Sequence, residues 1–165
     1  MGRTATSKKD VIKILEEIAV MLELKGENPF KSRAYTTGAR SLEQFTGDLH
    51  ETVDEGTLSR IKGIGDALSK KITEIVTTGK LVYYERLRES IPPGLLDMLR
   101  IPGLGPKKIR MLHDKLAIET VGEIEYACRE NRLIELPGFG KKTQDGIMTG
   151  IEHLKIYSER HLYGS

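Results

Sequence analysis

Apolar side chains return along this chain at helical spacing, broken at short intervals by glycine, proline and polar clusters. Over residues 7–24, Val11, Ile12, Leu15, Ile18, Ala19 and Leu22 share one face of a helix that Ser7 can cap. Gly26 and the Asn28-Pro29 pair end it. A second helix is predicted from Pro29 or Lys31 to Phe45, burying Phe30, Ala34, Leu42 and Phe45 and stopping at Gly47. A polar link over 48–55 follows. Residues 58–75, LSRIKGIGDALSKKITEI, then read as a short helix, a tight turn holding Gly63 and Gly65, and a longer helix capped by Asp66 that runs to Thr78. Gly79 stands where a left-handed C-terminal residue is wanted, and residues 81–90 form one more short helix.

Pro92-Pro93-Gly94 excludes a continuous helix and marks the boundary between two small helical subdomains, 1–91 and 92–165. Beyond it, 95–100 and 106–116 are predicted helices, with Pro106 at a first helical position. A connecting helix over 120–130 leads to segments 132–136 and 141–156, and the closing YSERHLYGS has no cap and no apolar closing face. No stretch alternates apolar and polar residues as a strand would. The fold class is therefore all-α.

One pattern occurs three times. Gly63-Ile64-Gly65, Gly103-Leu104-Gly105 and Gly138-Phe139-Gly140 each join a short helix to a longer one, the sequence form of a helix-hairpin-helix. The first glycine can take positive φ without steric cost, and the second lets a phosphate oxygen approach the amides that open the next helix. The apolar residue between them is expected to plug inward. Such a turn reads only the backbone of DNA, so it grips without choosing sequence. The Rossmann fingerprint is excluded, because these turns follow helices and no copy completes GxGxxG.

A formal charge of +2, from 26 basic and 24 acidic residues, means that any nucleic-acid contact must be local. Basic residues do gather at the turns: Arg60, Lys62, Lys70 and Lys71 at the first, Arg100, Lys107, Lys108 and Arg110 at the second, and Lys141 and Lys142 at the third. Solvated helix faces would look similar, but the recurrence beside each turn favours phosphate contact. Outward carbonyls of Ser59, Ile61 and Ile64, and of Leu99, Ile101 and Leu104, are candidate ligands for a K+ or Na+ ion shared with a phosphate. No organic cofactor is expected. Cys128 is the single cysteine, which excludes a disulfide framework and reads as a small buried hydrophobe. His50, His113, His153 and His161 show no metal-ligand spacing. No run approaches the about 18 apolar residues of a membrane span, and no secretory signal opens the chain, so it is expected in the cytoplasm near the nucleoid, as a monomer.

A lysine attacks an aldehyde to form a Schiff base only as a neutral amine, which requires burial or cationic neighbours. Lys71, about one and a half turns into the helix after the first hairpin, is the candidate, with Lys70 and Lys31 as neighbours. Spacing alone describes a salt-bridged or solvated lysine equally well.

The segments NPFKSRAYTTGARSLEQF and IKGIGDALSKKITEIVTTGKL resemble the N-terminal lyase domain of family X DNA polymerases (polymerase beta-like). LLDMLRIPGLGPKKIRML, ELPGFGKKT and ERHLYGS resemble the DNA-gripping fingers subdomain that follows it in bacterial and archaeal members. The resemblance implies that Lys71 is the Schiff-base lysine acting on a 5′-deoxyribose phosphate, that Lys31 binds the 5′-phosphate and that Tyr35 lines the same pocket. Two positions depart from the pattern: Ala67 and Tyr83 stand where basic residues are expected, and Lys62 and Lys70 are the available substitutes. A larger departure is that no Asp-x-Asp pair occurs, so two-metal nucleotidyl transfer is not expected of this chain without a palm domain supplied elsewhere. The uncapped final segment is expected to continue into such a domain or meet a partner. The functional expectation is sequence-independent binding of gapped, nicked or single-strand-end DNA in base excision or gap filling, with 5′-deoxyribose-phosphate (AP) lyase activity. Its alternatives are a non-catalytic DNA-binding module, or a polymerase fragment, and a protein-interaction scaffold.

Overall fold

Ser7 opens the first helix, α1 (Lys8–Lys25), through a reciprocal capping box: its hydroxyl accepts from Asp10 N–H at 3.2 Å, and its own N–H donates to the Asp10 carboxylate at 3.1 Å. Gly26 closes the helix in the left-handed conformation. The computed structural model describes the backbone of residues 6–163 and side chains up to residue 156; among the described residues every regular element is helical. The chain divides into two units, Met1–Ser90 and Ile91–Ser165.

In the first unit, α1 pairs along its length with α2 (Pro29–Gln44), and α4 (Asp66–Thr78) and α5 (Val82–Glu89) close over α1. The predicted apolar face of α1 is buried, and Leu15, Ile18 and Leu22 are inaccessible or nearly so. Each such side chain stabilises the fold by about 1.5–3 kcal/mol. Gly38 of α2 makes room for α4, since a Cβ there would run into Leu68.

Four local expectations are corrected. Phe30 is 72% exposed and Ala34 is exposed, because the face of α2 that meets α1 and α4 runs through Ser32, Gly38, Ala39 and Leu42. Phe45 is only half-buried and follows the last helical residue. The polar link over 48–55 contains a helix, α3 (Leu49–Glu55), which Asp48 caps and which buries Leu49 and Val53, one helical turn apart. The cap of α4 is Gly65, not Asp66: Gly65 is extended (φ −88°, ψ −177°), and Asp66 is already the first helical residue.

In the second unit, Pro93 opens α6 (Pro93–Met98), a position where its missing N–H is harmless. There follow α7 (Pro106–Leu116), α8 (Val121–Arg129), a 3-10 turn (Leu133–Glu135) and α9 (Lys141–Tyr163). Thr120 and Glu123 form a second capping box at α8. The core gathers Met98, Ile101, Ile109, Leu112, Ile124, Leu133 and Ile151. Cys128 is buried there as a small apolar group, and burial, with Glu125 and Asp145 nearby, pushes its thiol up to about 11. The backbone of α9 reaches Tyr163, so YSERHLYGS begins inside this helix, while its side chains lie outside the described residues.

Candidate nucleic-acid interface

The three glycine turns share one hydrogen-bond register. Ile64, Leu104 and Phe139 N–H each donate to the carbonyl three residues earlier, at Ile61, Ile101 and Leu136, and each bond is 3.1 Å. Those acceptor residues in turn donate to Leu58, Met98 and Leu133 at 3.0 Å. The plug residues Ile64, Leu104 and Phe139 are 3%, 4% and 5% exposed, which anchors the turn to its unit's core. Gly63, Gly103 and Gly138 take φ of 97°, 84° and 82°, where an L side chain is strained. Gly65, Gly105 and Gly140 are followed by α4, α7 and α9, and a Cβ at any of the three would meet nothing within 4 Å.

Each turn thus offers an open approach to the first amides of a helix, which have no intrahelical acceptor. Intrahelical bonding begins with Ser69, Ile109 and Gln144 N–H, which donate to the carbonyls of Gly65, Gly105 and Gly140. Free N–H groups and the positive end of the helix dipole together favour an anion. Lys107, Lys141 and Lys142 are exposed there, and Lys108 is half-buried.

The first turn differs in three ways. Its first helical residue is Asp66, a carboxylate, where the others have Pro106 and Lys141. It is walled on one side by α2: Ser41 donates to the Lys62 carbonyl at 2.7 Å, and a Cβ on Gly63 would collide with Ser41 Oγ. Thr37, Ser41, Gln44, Phe45, Ile61 and Lys62 line a groove of about 560 Å³ beside it. Third, α4 carries Lys71 into a cluster that the other hairpins lack.

Lys71 is half-buried, with its Nζ 5.0 Å from the centre of the Tyr83 ring. The Tyr83 and Tyr35 rings lie nearly parallel (7°) with centres 6.1 Å apart. Burial first, then the facing Tyr83 hydroxyl, holds the Tyr35 phenol above its usual range, so it stays neutral. Lys31 sits one helical turn before Tyr35 on the same face of α2, exposed, in a 3.6 Å pair with Glu27 that contributes at most about 1 kcal/mol. Lys62, Lys70 and Ala67 are all exposed. The structure therefore brings Lys71 and Tyr35 into one cluster through Tyr83, a residue that sequence reasoning counted only as a missing charge.

Ser41 is the other residue the sequence did not disclose. It lies 21 positions from its partner Lys62, and a serine in the middle of a helix carries no signal of a distant acceptor. Among the described residues no three His, Cys, Asp or Glu side chains gather at metal-binding distance, and no helix is long and apolar enough to cross a membrane.

Residues 6–81 match the family model for a helix-hairpin-helix domain, and residues 95–151 match that for a SAM-like helix-hairpin-helix tandem. Over 157 residues, 95% of this chain, the sequence is 39% identical to the DNA polymerase/3′-5′ exonuclease PolX of Bacillus subtilis (strain 168). DNA ligases of Acholeplasma laidlawii (strain PG-8A) and Limosilactobacillus fermentum (strain NBRC 3956 / LMG 18251) are 35% and 37% identical over 66 and 67 residues, about two fifths of this chain and 10% of each ligase. The matched part of PolX is its N-terminal 27%, so the chain spans about a quarter of that relative. With hairpin geometry at all three turns, residues 6–81 and 95–151 are helix-hairpin-helix domains, and the chain is similar over 95% of its length to the N-terminal part of a family X polymerase.

Proposed function

We propose that this chain binds DNA by its phosphate backbone, independently of sequence, in the repair of gapped or nicked strands, and that its first unit removes a 5′-deoxyribose phosphate through a Schiff base on Lys71. One observation carries the binding reading: three turns with a common register, each leaving helix-opening amides accessible beside Gly65, Gly105 or Gly140. An amide nest at a helix N-terminus complements a phosphate, and Lys107, Lys108, Lys141 and Lys142 add charge at the second and third turns. PolX and the two DNA ligases are named for work on DNA, which favours the same ligand.

The carbonyls of Ile61 and Ile101 each accept one turn amide and keep a second lone pair. With Ser59 and Ile64, or Leu99 and Leu104, they supply an all-oxygen donor set suited to K+ or Na+. A bound ion would add positive charge beside the phosphate.

The lyase reading rests on Lys71. It is partly withdrawn from solvent on the helix that follows the first hairpin, in a cluster with Tyr35. In the reaction, neutral Nζ adds to the C1 aldehyde of the opened sugar; with one proton from solvent the carbonyl oxygen leaves as water, and an iminium cation results. Lys31, one turn from Tyr35, is the proposed 5′-phosphate ligand.

Two assays test these parts separately. Gel-shift affinity for gapped duplex should fall linearly with log salt, and Lys141→Ala with Lys142→Ala should flatten that slope by about 0.9 for every phosphate the two lysines neutralise in the wild type. Affinity independent of salt would refute the grip. Borohydride should trap a covalent adduct with 5′-deoxyribose-phosphate DNA in the wild type and lose it in Lys71→Ala. An undiminished adduct would remove Lys71 from the chemistry.

A further inference from the structure

Tyr83 stands at a place where the resemblance leads one to expect a basic side chain, and the structure gives that place a definite geometry. The ring lies under the Lys71 amine at 5.0 Å and runs parallel to Tyr35. Its position is tied to the helix that carries Lys71. Glu74, three residues beyond Lys71 on α4, accepts the N–H of Val82 at 2.9 Å, and Val82 immediately precedes Tyr83. Leu81 is 2% exposed and anchors the same segment from inside. Thr78 Oγ1 closes the connection by accepting from Lys80 N–H at 3.2 Å. A ring held this way has little freedom to leave the amine.

We propose that Tyr83 is a positioning residue for Lys71, its ring face placing the lysine nitrogen and receiving the iminium cation formed when that nitrogen condenses with the sugar aldehyde. The proposal rests on the lyase reading above. An aromatic face attracts a cation through its quadrupole, and the attraction grows as the pair leaves water. A basic side chain at position 83 would repel the iminium as it forms; a tyrosine face accepts it. Loss of positive charge from the pocket is then accompanied by a gain in directed stabilisation at the reacting nitrogen. Tyr35 backs the ring, and as a neutral phenol it adds no competing charge.

The test uses the full chain and 5′-deoxyribose-phosphate DNA, trapped with borohydride, which delivers hydride to the iminium carbon and leaves a stable secondary amine. At saturating DNA, Tyr83→Leu should trap about fivefold more slowly than the wild type, with half-saturation unchanged because position 83 holds the amine and not the duplex. Phenylalanine at the same position should recover most of the rate, since it keeps the ring and drops the hydroxyl. An NMR measurement needs no turnover: the Lys71 side-chain methylene protons should be shifted upfield by the ring in the wild type and Tyr83→Phe, and return to ordinary values in Tyr83→Leu. A Leu variant that is folded and traps at the wild-type rate, while Lys71→Ala does not trap, overturns the positioning role alone. Trapping that survives Lys71→Ala, or is absent from the wild type, overturns the lyase reading and this proposal together. Absence of a ring-current shift in the wild type overturns the packing of Lys71 on the ring.

Discussion

Replacing Gly63 by alanine should cost more stability than the same change at Gly103, although both glycines occupy the same place in their turns. At both, alanine must adopt a positive φ, 97° or 84°, at a cost of about 1–3 kcal/mol. Around Gly103 the new Cβ meets nothing within 4 Å, so that strain is the whole effect. At Gly63 the Cβ displaces Ser41 Oγ, which must give up its 2.7 Å bond to the Lys62 carbonyl. That bond contributes about 1 kcal/mol. The excess over Gly103→Ala is thus about 1 kcal/mol, or about 4–8 °C in the melting temperature of a unit this size. Urea unfolding followed by circular dichroism measures both variants, and a double-mutant cycle isolates the interaction: Ser41→Ala should cost about 1 kcal/mol alone and nearly nothing beside Gly63→Ala. Equal costs at the two glycines, or additive effects of Ser41→Ala and Gly63→Ala, would refute the coupling between α2 and the first turn.

Three further outcomes follow from the same geometry. Gly105→Ala should leave stability unchanged or raise it by up to about 1 kcal/mol, since φ of −90° suits any residue, yet weaken binding to gapped duplex about tenfold in a gel shift as the Cβ enters the phosphate approach. Asp66→Asn should strengthen DNA binding at low salt by about two- to fivefold, from about 0.3–1 kcal/mol of charge at the first turn of α4, with the gain shrinking as salt rises. Cys128, buried with its thiol pushed up to about 11, should resist iodoacetamide at about pH 8 in the native chain, where the thiolate is scarce and covered, and react readily in denaturant; fast native labelling would contradict its place in the core.

Much of this protein is written locally. The helix of residues 8–25 follows from a 3.6-residue apolar period, a serine cap and a closing glycine, all within about 20 positions of one another. The glycine turns are legible for the same reason: a positive φ, an inward plug and an open second glycine are demands made by neighbouring residues, and the threefold repetition exposes them. The errors fall where a neighbour distant in sequence decides. Phe30 is apolar and sits on a helix, but the helix turns another face to α1 and α4, so the ring stays in water. By sequence, residues 49–55 read as a link because only Leu49 and Val53 are strongly apolar, and a seven-residue helix needs the surface of α4 to hold it.

The site divides along the same line. The sequence by itself determined the all-helical class, the three hairpins and the lysines beside them, because each depends on spacing between near neighbours in the chain. The sequence also set the first hairpin apart, through Lys71 behind it and Lys31 and Tyr35 ahead of it, and only the tertiary structure decided what surrounds them. Ser41 reaches across 21 positions to wall the first turn, and Tyr35 and Tyr83, far apart in the chain, are stacked by the packing of α2 and α5 about α1 and α4. No periodicity records such proximity, since it is made by chain folding that brings remote side chains within a few ångströms, and it is there that Lys71 acquires its neighbours.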